Sequence, residues 1–131
     1  MELPMRLTTV LAAATITAAC GFALAAEMPG AIKASNGMLT DDHGMTLYTF
    51  DNDKTADKSA CNGMCAVNWP PLMAEAGARN MGEYTVITRN DGAKQWAMKG
   101  KPLYHWHLDT KPGDTDGDGK GQGMVWHIAR P

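Results

Sequence analysis

The chain has no basic excess, no catalytic signature and, beyond its first 25 residues, no apolar run long enough to cross a bilayer. Lys and Arg total 12 against 14 Asp and Glu, for a net charge of −2. Nucleic-acid binders carry a clustered positive stripe, so that class of partner is excluded. There is no G-x-S-x-G elbow, no H-E-x-x-H and no phosphate loop. Neither Trp69 nor Trp106 is flanked by carboxylates spaced for glycoside hydrolysis. No nucleophile or general base can be named, and a non-catalytic role is expected. Cysteine is scarce, with three residues in 131.

The N-terminus reads as an export address. Arg6 precedes an Ala-rich apolar run from Leu7 to Ala19, and Ala23-Leu24-Ala25 is an A-x-A cleavage pattern. Residues 1–25 are therefore expected to be a signal peptide. A second option is acylation at Cys20, because Thr17-Ala18-Ala19-Cys20 has the outline of a lipoprotein box with Thr in the place of Leu. Both readings put the remaining chain, residues 26–131, in the periplasm or outside the cell. Cys61 and Cys65 would there form a disulfide, since residues four apart on a helical turn lie about 6 Å from each other.

What the chain does have is a duplication. Tyr48-Thr-Phe50-Asp-Asn-Asp53 and Tyr104-His-Trp106-His-Leu-Asp109 share the pattern Y-x-(F/W)-x-x-D. Each Tyr follows a Leu (Leu47, Leu103) and lies four residues after a Gly (Gly44, Gly100). Trp69 comes 16 residues after the first Asp, and Trp126 comes 17 after the second. Repeats spanning about residues 32–72 and 84–128 are expected to pair into one small domain.

Short β runs punctuated by Gly turns give the fold class: all-β, mainly antiparallel, with one short helical turn. Strands are expected at 32–35, 38–41, 45–50, 84–88, 94–98, 103–108 and 124–129. Asn36-Gly37 and Asn90-Asp91-Gly92 supply hairpin turns. Segments 38–41 and 45–50 should pair around Asp42-His43-Gly44. The helical turn falls within Cys61–Trp69, ended by Pro70 and Pro71. Alternation along 103–108 would put Leu103, His105 and His107 on one face and Tyr104, Trp106 and Leu108 on the other, with the second face toward the core.

These residues, together with Cys61-x3-Cys65-Ala-x2-Trp69-Pro-Pro-Leu72, Arg89-x-Asp91-Gly92, Gly100-Lys-Pro102-Leu103-Tyr104 and Pro112-Gly113-Asp114, resemble the small bacterial predicted lipoproteins with a Yx(FWY)xxD motif. That family is also described as a secreted repeat of unknown function. The resemblance covers nearly all of residues 26–131 and implies a lipid anchor in many members. It carries no reaction to transfer.

Candidate sites follow from residue chemistry. Asp53 and Asp109 should cap turns by accepting backbone N–H groups. Alternatively they line a ligand slot with Tyr48 and Tyr104. His105 and His107, at i and i+2, could chelate one ion. With His127, and Met124 as a soft fourth ligand, they make a candidate copper site in a stretch holding eight Met. Cys61-Asn-Gly-Met-Cys65 is a rival copper site if reduced. Asp114, Asp116 and Asp118 match the opening of a calcium loop, although its twelfth position is Val125 rather than Glu. The expected function is a secreted or periplasmic non-catalytic binding protein of the bacterial envelope, for an envelope partner or small ligand. The alternatives are a copper carrier and a structural or adhesive surface module.

Overall fold

Two adjacent residues with positive φ, Asn36 (51°) and Gly37 (75°), turn the first hairpin. Both central residues of a type I′ turn need that conformation, and Asn and Gly adopt it at least cost. The turn joins β1 (Ile32–Ser35) to β2 (Met38–Asp41), with Ser35 opposite Met38 and Ile32 opposite Asp41. The computed structural model describes residues 2, 4, 10–15 and 27–131. The Ala23-Leu24-Ala25 cleavage pattern and Cys20 lie outside the described residues. Among the described residues no helix is long and apolar enough to cross a membrane.

The remaining elements are β3 (Tyr48–Phe50), α1 (Met64–Asn68), β4 (Tyr84–Thr88), β5 (Lys94–Met98), β6 (Lys101–Pro102) and β7 (Trp126–Ile128). They form three small antiparallel sheets, β1-β2, β3-β7 and β4-β5-β6. The all-β class with a two-fold repeat and a short helical turn is what the sequence predicts. Cys65, in α1, forms the disulfide with Cys61, with Cα atoms 5.2 Å apart.

Two expected strands differ in detail. Segment 45–50 meets β2 only at its start, through the Thr40–Thr46 bridge and the Leu47 N–H bond to the Leu39 carbonyl. Its end, β3, pairs instead with β7, placing Phe50 opposite Trp126. Segment 103–108 is not a strand. Tyr104 bridges Tyr48 and Pro71, His105 and His107 donate to the Pro70 and Asn68 carbonyls, and the chain turns so that Asp109 N–H reaches the Trp106 carbonyl. With no ladder to enforce it, alternation fails. Leu103 and Tyr104 are both fully buried, whereas Leu108 is 58% exposed.

The repeats are interleaved rather than stacked. In one half, Leu39 N–H bonds the Ala129 carbonyl, Ala129 N–H bonds Leu47 and Leu47 N–H bonds Leu39. In the other, Trp96 N–H bonds the Leu72 carbonyl, Leu72 N–H bonds Leu103 and Leu103 N–H bonds Trp96. Each closed ring of three bonds takes its third member from the tail of the other repeat. Tyr48 and Tyr104 exchange both backbone bonds, 2.8 and 3.0 Å long, where the repeats meet.

Two buried clusters result. One is mainly aliphatic and includes Ile32, Leu39, Leu47, Leu72, Trp96, Leu103 and Ala129. The other is aromatic: Tyr48, Trp69, Tyr104 and Trp126 with Cys61. Leu47 and Leu103 hold matching fully buried positions. Leu47→Ala and Leu103→Ala should therefore each lower the unfolding free energy by about 2–5 kcal/mol in urea titrations, by closely similar amounts. A large cost at one position and a trivial one at the other would contradict this symmetry.

Candidate functional site

The motif tyrosines and aspartates are exchanged between repeats. Tyr48 O–H donates to Asp109 Oδ2 at 2.6 Å, and Tyr104 O–H donates to Asp53 Oδ2 at 2.7 Å. The second oxygen of each carboxylate holds a loop seven residues further on. Asp53 Oδ1 accepts Ala60 N–H at 2.6 Å, and Asp109 Oδ1 accepts Asp116 N–H at 3.0 Å. Both aspartates thus accept a backbone N–H, as the turn-cap reading expects, while also binding the phenol of the opposite repeat. The two tyrosines are completely buried. Burial, reinforced by the hydrogen bonds to Asp109 and Asp53, raises both phenol pKa values. Burial also raises that of Asp53, against the opposing effect of its bonds to Ala60 and Tyr104.

The halves differ around these pairs. The Tyr104 hydroxyl lies 2.8 Å from Ser59 Oγ, which also accepts from Arg89 at 3.0 Å. Arg89, only 6% exposed, donates further to Gln95 Oε1 and the Cys61 carbonyl. On the other side the Tyr48 hydroxyl accepts Gly117 N–H at 3.2 Å. There Asp109, Asp114 and Asp116 each offer an oxygen within 4.8 Å of the others. Asp114 is also the most strongly held carboxylate of the loop. Lys111 Nζ lies 2.7 Å from it and the Thr110 N–H 2.9 Å, and these bonds, the lysine foremost, lower its pKa to about 2.

The sequence-predicted ligands do not gather as expected. His105 Nε2 bonds Asp41 at 2.9 Å, His107 Nδ1 donates to the Asn68 carbonyl at 3.0 Å, and His127 Nε2 bonds Asp51 at 2.8 Å. Among the described residues they form no convergent group, and Met124 is exposed. Asp118 accepts the Ile128 N–H at 3.2 Å, and Asp109 stands in the acidic group in its place. Asp41 escaped the sequence reading. It is nearly buried and holds the His43 and Met45 N–H groups as well as His105. An Asp at the strand end, directly before Asp42-His43-Gly44, is the signal that marks it as a turn former.

The aromatic residues build a continuous stack. Phe50 lies on Trp126 (4.1 Å, 10°), Trp126 on Trp69 (3.8 Å, 5°) and Trp69 on Trp106 (4.3 Å, 39°). Tyr48 meets Trp69 edge-on, and Tyr104 meets Trp126 in the same way. The two motif aromatics are therefore the ends of the column, and the two repeat tryptophans are its centre.

A family model described as "Secreted repeat of unknown function" matches the chain twice, over residues 30–73 and 85–130. The chain belongs to the Lipoprotein_15 family. No curated protein and no solved structure matches it. The two Lipoprotein_15 matches coincide with the interleaved halves, so the family's repeat is half of a shared core. The family description is of a secreted protein.

Two predictions follow from this geometry. A Cβ on Gly117 would lie 2.8 Å from Tyr48 Cζ and 2.9 Å from Trp106 Cβ. Gly117→Ala should thus destabilise by about 1–3 kcal/mol in urea titrations, and an unchanged midpoint would contradict the close approach. Asp114 has a folded pKa below its ordinary 3.8, so its contribution is present above that value and is lost as pH falls toward about 2. Asp114→Asn should be less stable than wild type at neutral pH. The gap should close across that acid window, as read by melting temperature against pH.

Proposed function

We propose that this protein is a non-catalytic binding module of the bacterial envelope that engages a partner protein through the apolar surface around α1. Folding uses the Tyr and Asp residues of the motif on each other, which leaves recognition to other side chains. The observation that carries the reading is the exposure of large apolar residues there. Met64 and Val67, one helical turn apart on α1, are 71% and 61% exposed. Leu108 adjoins His107, whose N–H and Nδ1 both bond the Asn68 carbonyl at the end of α1. Apolar residues grouped in this way mark association surfaces. Methionine suits such a surface because its side chain adapts to a partner.

The test is cross-linking in the native envelope. A photoreactive residue at Val67 should give a discrete heterologous product that a photoreactive residue at exposed Lys33 does not give. Val67→Asp with Leu108→Asp should abolish the partner's co-purification. Equal labelling from both positions, or no product from Val67, would overturn the reading.

A second reading, a hard-cation site, is favoured by the convergence of Asp109, Asp114 and Asp116. Oxygen donors of this kind suit Ca²⁺ at about millimolar affinity, with the ion displacing Lys111 from Asp114. Calcium should then raise the melting temperature of wild type and not of Asp116→Asn. The copper reading requires His105, His107 and His127 to leave three separate acceptors, which makes it the costlier rearrangement.

A further inference from the structure

We propose that the aromatic column is a one-electron relay, which takes an oxidising equivalent from an anionic radical at Trp106 and delivers it to a buried tyrosine. Four rings are in continuous contact, and their order is chemically directional. Phe50, at one end, is the ring hardest to oxidise. The three tryptophans that follow are readily oxidised, and Trp106, partly exposed as Phe50 also is, is the oxidisable end of the column. The nearly parallel Trp126–Trp69 pair, 3.8 Å apart, shares a positive charge across two indoles and so lowers the energy of the oxidised state. The Lys120 ammonium lies 5.6 Å from the centre of the Trp106 ring. It draws an anionic oxidant to that end and disfavours a positive charge lingering there, which drives the charge inward.

The tyrosines complete the path. Each touches a central tryptophan edge-on, at 5.5 Å for Tyr48 and 5.1 Å for Tyr104. A phenol gives up an electron easily only if its proton leaves at the same time. Both phenols already point at a carboxylate oxygen, 2.6 and 2.7 Å away. Their raised pKa values keep the proton on the phenol until oxidation occurs.

An oxyl radical anion takes one electron from Trp106 and leaves as the reduced, closed-shell anion. Electrons moving along the column restore the tryptophans. Tyr48 or Tyr104 loses one electron, and its O–H proton transfers to Asp109 or Asp53. The products are a neutral phenoxyl radical and a protonated carboxyl group. A small one-electron reductant of the thiol or enediol class returns the electron, and the carboxyl returns the proton.

The experiment is one-electron oxidation of the purified protein by radiolytically generated carbonate radical anion, followed by transient absorption. An indole radical should appear first and decay into a phenoxyl radical at a rate independent of protein concentration. That decay should slow in D2O, because the proton moves with the electron. Tyr48→Phe with Tyr104→Phe should remove the intramolecular phenoxyl signal. Tyr84, buried in the aliphatic cluster, remains in that variant as an internal control. Trp106→Phe, at a partly exposed position that should tolerate the change, should reduce the yield, whereas Trp96→Phe, outside the column, should not. Absence of a phenoxyl radical in the wild type would overturn the proposal. So would a transfer indifferent both to D2O and to Trp106→Phe.

Discussion

The exchange of two phenol–carboxylate hydrogen bonds between the repeats is the interaction on which the structure turns. The strands are two to five residues long and belong to three separate small sheets, so ladder hydrogen bonds alone give a poorly connected framework. The exchanged pairs tie the two repeats together at the centre. Each aspartate holds the opposite repeat through Oδ2 and its own following loop through Oδ1. A charge-assisted bond contributes about 1.5–3 kcal/mol, and removing one partner strands a buried charge or phenol. In a domain of this size that is a sizeable part of the net stability. Interleaving follows from the same centre, because the tail after each tryptophan must return to the other half's leucine.

The two halves satisfy the same geometry with different chemistry. One half surrounds its pair with Ser59, Arg89 and Gln95, which supply donors and a positive charge. The other uses the Gly117 N–H and places Asp114 and Asp116 beside Asp109. Duplication fixes the clamp, and divergence around it leaves one side electrically compensated and the other acidic. The stacked column follows the same plan. Its central tryptophans occupy matching positions, and its ends, Phe50 and Trp106, differ in chemistry and in their neighbours.

Much of this was legible in the sequence. The Asn36-Gly37 turn and the β4-β5 hairpin announce themselves through turn chemistry and β-branched runs, and their bounds match the expectation. The Cys61–Cys65 pairing follows from compartment and spacing. The exchange between repeats did not follow, because a repeated motif looks the same whether each copy serves itself or its twin. Segment 103–108 misled for a related reason. Its alternating pattern suits a strand, but the N–H groups of Tyr104, His105 and His107 go to carbonyls of the first repeat, and pairing at that separation leaves no local trace. The histidines share i, i+2 spacing without sharing a face, since the face exists only if the strand does. The acidic group was half readable: Asp114 and Asp116 belong to the loop pattern, whereas Asp109 arrives by way of the motif.

The most direct test is a set of double-mutant cycles with Tyr→Phe and Asp→Asn substitutions, read by urea unfolding. The account predicts coupling of about 1.5–3 kcal/mol for Tyr48 with Asp109 and for Tyr104 with Asp53. It predicts coupling within about 0.5 kcal/mol of zero for the same-repeat combinations Tyr48 with Asp53 and Tyr104 with Asp109. Strong coupling within a repeat and none across would show that each copy folds on itself, and would contradict the exchanged clamp.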